Sequence, residues 1–309
     1  MSKSDRLDAT KISTYQQCPR LYYYKYELGW RSDQSNIHLV FGGAWHRAME
    51  TLYRSDPWDV ECDLEGCIEQ AQKDFTEYFN SRPIDFIPNR NVKTLENGVA
   101  GVAKYAHNFL KRDLATYDIL EIERGGTATI GSRTFSYRCD VVLHDKSSGR
   151  IVVVDFKSGG SYKPSDWNDR WQFSTQVAIY RAARAQKYQH HDVWSLIRGA
   201  WFSGTKQASF GECWIPPDFD QRTPMKLEAW YARVADDRLK LIDDNGEYMQ
   251  SFPMNDQSCF NYNRKCEFFD QCADWTNPNL HKDEVPDGYS VRHWNPLDNQ
   301  AQKGKKSDK

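Results

Sequence analysis

The chain has 309 residues, with 41 Lys and Arg against 43 Asp and Glu and a formal net charge of −2. That balance excludes a globally basic nucleic-acid coat, and the length suits one elaborated domain or two small ones. Only 39% of the residues are hydrophobic, but 11 Trp, 17 Tyr and 15 Phe each bury a large area, so a packed core is expected, with disorder confined to the ends. The longest aliphatic run, Ile151 to Val154, falls far short of the roughly 18 residues of a bilayer span. Residues 1–15 carry no apolar leader core, so a cytoplasmic chain with no membrane partner is expected. Eight cysteines without a secretion signal point to reduced thiols or metal ligands rather than a disulfide scaffold.

In chain order, residues 11–28 mix aromatic and basic residues at helical spacing, with Ser13 or Thr14 as the cap and Gly29 as the stop. Phe41 to Ser55 places Trp45, Met49, Leu52 and Tyr53 on one helical stripe, with His46 one position off it. Two further helical patterns, divided by the segment 82–91, read as a helical insert over 57–115. From 119 the period changes to that of strands, over 119–123, 128–130, 133–143 and 150–156. Gly125-Gly126, Gly131 and Asp145 to Gly149 are the expected turns of this antiparallel meander. Helix returns over 165–188 and strands over 193–203 and 208–215. Thr223-Pro224 then opens a helix whose Leu227, Trp230, Tyr231, Val234 and Leu241 share a face. The stretch after 251 is loop-like and holds three cysteines, and the tail over 296–309, ending KGKKSDK, is basic and expected to be flexible. No Gly-x-x-x-x-Gly-Lys-Ser/Thr phosphate loop occurs, so the chain has no nucleotide motor of its own.

The hairpin YRCDVVLHDKSSGRIVVVDFKSGG carries the most chemistry. Asp140 and Asp155 are equidistant from its turn, so a symmetric register sets them opposite one another, about 4.5–5.5 Å apart. Two carboxylates that close in an apolar sheet repel unless a cation lies between them or one is protonated, and oxygen donors of this kind suit Mg²⁺ or Mn²⁺. Lys157, two residues beyond Asp155, falls on the same strand face, where its ammonium can orient a water or offset charge on a phosphorane-like centre. Singly, each residue reads as a strand-end charge, and His46 and Gln176 with Tyr180 as ordinary helix residues.

Taken in order, His46, Asp140, Asp155-x-Lys157 and Gln176-x-x-x-Tyr180 resemble the RecB-like branch of the PD-(D/E)xK nuclease superfamily. The resemblance covers roughly 11–275. It implies an α/β fold, a restriction-endonuclease-like mixed central sheet flanked by helices, as one nuclease domain over 1–295. It also implies His46, Asp140, Asp155 and the backbone carbonyl of Phe156 as metal ligands, Asp140, Asp155 and Lys157 as catalytic, and Gln176 and Tyr180 as contacts to DNA. Glu121 or Glu123 matches a further acidic position. Divalent-metal-dependent exonuclease activity on DNA strand ends or single strands follows, in recombination, repair or phage DNA processing, the last placing it in the host cytoplasm. A separate helicase or single-strand-binding protein would be its partner. A non-cleaving DNA-binding subunit and a CRISPR-adaptation trimming nuclease are the alternatives.

Cys259-x6-Cys266-x5-Cys272 and the distant Cys18 make four thiols, enough for a [4Fe–4S] cluster or a tetrahedral zinc. One cysteine before and three after the nuclease core is similar to RecB-like nucleases with an iron–sulfur staple, among them the CRISPR-associated and AddB types, which implies the cluster. Cys62, Cys67, Cys139 and Cys213 have no such context. From 157 to 191, Lys157, Lys163, Arg170, Arg181, Arg184 and Lys187 outweigh Asp166 and Asp169, a local basic stretch suited to phosphates. Tyr22 to Tyr24 and Trp167 or Trp171 are candidates for stacking unpaired bases, with core packing the expectation for most of them.

Overall fold

A computed structural model describes residues 6–55, 63–84, 87–160, 163–217, 222–261 and 264–297. Cys62, the first residues of the expected insert and the Lys-rich tail lie outside them. Helices run over α1 (Ala9–Gln17), α2 (Pro19–Tyr22), α3 (Ile37–Arg54), α4 (Leu64–Asn80), α5 (Leu95–Tyr105), α6 (Lys111–Thr116), α7 (Asp169–Gln172), α8 (Thr175–Lys187), α9 (Thr223–Leu241) and α10 (Phe269–Asp274). Strands run over β1 (Trp30–Ser32), β2 (Tyr117–Ile130), β3 (Arg133–Asp145), β4 (Ile151–Gly160), β5 (Val193–Gly204), β6 (Gln207–Ile215), β7 (Phe260–Asn261), β8 (Arg264–Lys265) and β9 (Tyr289–Val291). Among the described residues no helix is long and apolar enough to cross a membrane.

Packing divides the chain into two compact units, one of residues 34–126 and 138–220, the other of 1–33, 127–137 and 221–309. The first unit is built on the five-stranded sheet, ordered β2-β3-β4-β5-β6. β4 pairs antiparallel with β3 but parallel with β5, and β6 returns antiparallel. This is the mixed α/β sheet expected, with the parallel step made by the crossover through α7 and α8. The meander differs in one respect. β2 runs unbroken through Gly125-Gly126, because β3, with 13 residues against 14, is long enough to follow it and the chain reverses at Gly131, whose φ of +60° suits glycine.

One face of the sheet is covered by α3, α4 and α5. Phe41, Trp45, Met49 and Leu52 project from α3 every three or four residues onto Val154, Phe156 and Phe202. Each such side chain contributes about 1.5–3 kcal/mol by leaving water. Gly98 lets α5 approach α4, since a Cβ there would lie 2.1 Å from the Phe75 ring. Beneath these helices Arg198 of β5, fully buried, pairs with Asp113, donates to Tyr53 and Tyr105 at 2.8 Å each, and reaches Glu212 at 2.8 Å. That network fixes the helical layer, because removing one partner strands a buried charge. The opposite face carries a smaller core of Trp167, Val177, Ile197, Trp201, Cys213 and Ile215 under α7 and α8.

In the second unit α1 starts earlier than the sequence suggested, capped by Asp8, whose side chain accepts from the Lys11 N–H at 2.9 Å. The helix expected to reach 28 breaks at Cys18, which is extended because Pro19 excludes the helical conformation from the residue before it. Tyr15 donates to Asp237 of α9 at 2.5 Å, Arg20 to the Phe252 carbonyl at 3.0 Å, and the β1–β9 ladder joins the two ends of the chain. Tyr22, Tyr23 and Tyr24 are fully buried in an aromatic core with Trp30, Phe252 and Phe268, so they are packing residues and not a surface for stacking bases.

Candidate active site

The β3–β4 hairpin is set by its turn. Asp145 accepts from the N–H groups of Ser147 and Ser148 at 2.8 and 3.1 Å, and Gly149 adopts φ +71°. The register pairs Val141 with Val154, which makes Asp140 and Asp155 the next residues along, as the sequence symmetry implies. Asp140, nearly buried, accepts the Phe156 N–H at 2.8 Å through Oδ2, and His46 Nδ1 of α3 stands 3.3 Å from the same oxygen. Glu123 completes a group with His46 and Asp140 whose ligand atoms all lie within 4.8 Å of one another. Strand alternation alone would give Glu121 and Glu123 the same face, but Glu123 has φ +48° and the alternation breaks there. Glu121 instead accepts from Arg184, Lys187 and Tyr188 at 2.9, 2.9 and 2.7 Å, so it stands in a different network.

Asp155 is held from α8. Gln176, on the first turn of that helix behind the Ser174 cap, donates to Asp155 Oδ1 at 3.0 Å and to Tyr180 Oη at 2.8 Å, and its Oε1 accepts from Lys157 at 3.0 Å. The Lys157 ammonium lies 2.6 Å from Asp155 Oδ2, an oxygen that is buried and accepts no well-directed hydrogen bond. Gln176, an expected DNA contact, thus acts here on the carboxylate and the lysine, and Tyr180 accepts from Gln176. Burial pushes the Asp155 carboxyl upward, with Lys157 pulling against it and Asp140 adding to it. Asp140 is held below its ordinary value, because the charge and hydrogen bond of His46, then Lys157 and the Phe156 N–H, outweigh its burial. For His46 burial pulls down, but Asp140 prevails and the net shift is upward. Burial and the negative charge of Asp140 push Glu123 up to about 7, against Arg138 and His46.

One imidazole and two carboxylates converge, Asp155 stands across the hairpin from Asp140, and the two carboxyls that titrate high do so through burial first and the charge of Asp140 second. That donor set fits a hard divalent cation. Sequence reasoning passed over Arg138, whose Nε lies 3.2 Å from Glu123; it stands two before Asp140, so strand period marked it for the same face. It also passed over Lys93 of the helical insert, buried against Phe41 and donating to the Ser158 carbonyl at 3.2 Å. The expected basic stretch is largely spent on structure. Arg184 is buried against Glu121, Lys187 joins it, and Arg181 donates to the Pro216 carbonyl at 2.7 Å.

In the other unit, Cys18, Cys259, Cys266 and Cys272 line one pocket, walled by Leu21, Tyr24, Phe268 and Phe269. Cys18 accepts the Asn255 N–H at 3.4 Å and Cys266 accepts the Phe268 N–H. Burial raises the thiols of Cys259, Cys266 and Cys272, the last to about 11, and neighbouring thiols add to each shift. Cys67, Cys139 and Cys213 are buried singly. For Cys139 burial raises the thiol to about 12, as suits an inert core residue.

A family model described as the PD-(D/E)XK nuclease superfamily matches residues 6–273. No curated protein matches the chain. Among solved structures it is similar to a protein named as a candidate exonuclease from Eubacterium rectale, at 14% identity and a TM-score of 0.47, with 76% of this chain and 83% of that one covered. A second, SSO0001, shows 12% identity and a TM-score of 0.25, with 71% and 80% covered.

Proposed function

The chain belongs to the PD-(D/E)XK nuclease superfamily, and from that premise we propose that it is a divalent-metal-dependent deoxyribonuclease that hydrolyses phosphodiester bonds from DNA strand ends. The observation that carries the reading is Lys157, held between Asp155 and Gln176, beside the convergence of His46, Glu123 and Asp140. His46, Glu123, Asp140, Asp155 and the Phe156 carbonyl would hold Mg²⁺ or Mn²⁺. When bound, such an ion polarises the phosphate and makes a nearby water more acidic.

The protein's own groups do the rest. A lysine ammonium has three N–H bonds; one of Lys157's is donated to Gln176 while the ammonium stays ion-paired with Asp155, which leaves N–H for a water or a phosphate oxygen. Gln176 fixes both partners at once, so the ammonium and the carboxylate keep one geometry. Water attacks phosphorus, the P–O bond to the leaving strand breaks, and the leaving oxygen takes up a proton. Lys157 offsets the charge that builds on the phosphoryl oxygens during that exchange. A DNA strand end in recombination, repair or phage replication is the proposed setting, with unwinding supplied by a separate protein.

In the other unit the four cysteines would hold a [4Fe–4S] cluster. The supporting features are the apolar walls and the two backbone N–H groups directed at sulfur. Tetrahedral zinc, with Zn–S near ~2.3 Å, needs its sulfurs under about 4 Å apart. The same four thiols in one pocket also offer the ligand count of such a zinc site.

The test is digestion of end-labelled DNA with Mg²⁺ or Mn²⁺ by the anaerobically purified chain and by Asp155→Ala. The variant should fold and lose activity by about a thousandfold or more. Retained cleavage sinks the assignment, and a wild-type chain that binds DNA without cutting it favours a non-cleaving subunit.

A further inference from the structure

Beside Lys157 stands a wall of three indoles that ends in an ammonium the reaction does not use. Its floor is laid by glycines on adjacent strands: Gly199 of β5 is in register with Lys157 of β4 and with Gly211 of β6, and Gly159 is in register with Trp201. A Cβ on Gly199 would come 2.3 Å from the Trp201 ring and 2.8 Å from Trp167, so only glycine lets the indoles settle here. Trp167 meets Trp201 edge-on at 4.8 Å, and Trp171 meets Trp167 at 5.9 Å. Trp167 and Trp201 are buried and form the support, whereas Trp171 is half-buried.

Two features of this wall lack a structural explanation. Lys163 is exposed and lies over the rings of Trp167 at 5.1 Å and Trp201 at 6.0 Å, and among the described residues no carboxylate pairs with it. The Trp171 indole N–H is buried and, among the described residues, meets no acceptor, while its ring lies 5.7 Å from the Lys157 ammonium. A buried donor without a partner is uncommon unless something else supplies the acceptor. Of the other cations of this stretch, Arg181, Arg184 and Lys187 are committed to carbonyls and Glu121, and Arg170 is exposed on α7. The half-buried Trp171 ring with its orphaned N–H and the Lys163 ammonium, beside Lys157, match a phosphate-linked strand with an unpaired base.

We propose that Lys163 and Trp171 form a subsite for single-stranded DNA, binding the oxygens of a phosphate that flanks the scissile one. This rests on the nuclease reading, and it adds that the enzyme grips unpaired strand beyond the bond it cuts. Lys163 supplies the charge and Trp171 the directed hydrogen bond.

The experiment measures binding, without cleavage, in the full-length Asp155→Ala chain. Short labelled single strands are prepared in which one internucleotide phosphate at a time is replaced by an uncharged methylphosphonate. One position should weaken binding by about tenfold at low salt, and adding Lys163→Gln should abolish that position's effect while leaving the others. The slope of log affinity against log salt should fall by about one charge. Trp171→Phe, which keeps a ring but removes the N–H, should blunt the same position, and it serves if Lys163→Gln does not fold. If every position keeps its effect in both variants, the subsite does not exist. Absence of cleavage by the unmutated chain with either metal would overturn the nuclease reading and leave this contact standing.

Discussion

The acidic site and the cysteine pocket each gather groups that repel one another when ionised, but they are balanced in different ways. Around Asp140, Asp155 and Glu123 the protein supplies its own cations, His46, Lys157 and Arg138, at 3.3, 2.6 and 3.2 Å. Around Cys259, Cys266 and Cys272 the walls are apolar, and burial raises the thiols. The first arrangement offsets its carboxylates with the protein's own cations. The second raises its thiols by burial, so ligation of the proposed cluster would release protons and add its binding energy to the stability of that unit.

The largest expected effect follows from this contrast. Cys266→Ser, or removal of iron by a chelator, should lower the melting temperature by about 10 °C or more, whereas stripping divalent ions from the acidic site should leave it nearly unchanged. Calorimetry with and without each treatment decides, and equal shifts would erase the distinction. Next, the two glutamates of β2 separate charge used for chemistry from charge used for packing. Glu121→Gln leaves the buried Arg184 without its counter-charge and should cost about 3 kcal/mol of stability with cleavage retained. Glu123→Gln should cost about ten- to a hundredfold in activity with stability kept or improved. Urea melts and the digestion assay test the pair together.

The smallest effect concerns Lys93, the cationic counterpart of the buried thiols. Burial pulls its ammonium from an ordinary 10.5 down to about 8, with no acid to compensate. The unfolded chain therefore binds more protons than the folded one between those values, and stability should rise from about pH 8 toward 10.5, by about 2–3 kcal/mol at most. Lys93→Met should flatten that rise in denaturant melts across the window. An identical slope in the variant would place the ammonium in water.

Much of the architecture could be read from local pattern. Period-two alternation, a turn of Asp145 to Gly149 and the symmetry of two aspartates located the hairpin and its register. Helical spacing located α3, α4, α5, α8 and α9. Where local pattern was insufficient, a neighbour in sequence or in space intervened. Pro19 broke the first helix, the length of β3 carried β2 through its glycine pair, and the tyrosines of 22–24 went inward under Phe252 and Phe268.

By itself the sequence determined which residues are candidates for the chemistry: His46, Asp140, Asp155, Lys157, Gln176, Tyr180 and the four cysteines stand in an order and spacing that mark them out. Tertiary structure decided what each one faces. It chose Glu123 over Glu121, turned Gln176 onto Asp155 and Lys157, committed the arginines of α8 to carbonyls and a carboxylate, and left Lys163 over two indoles. The reason is physical. A strand or helix period assigns a side chain to a face from its own neighbours, whereas a single φ of +48°, or a charge 63 residues away, redirects it at a cost that only the assembled packing can offset.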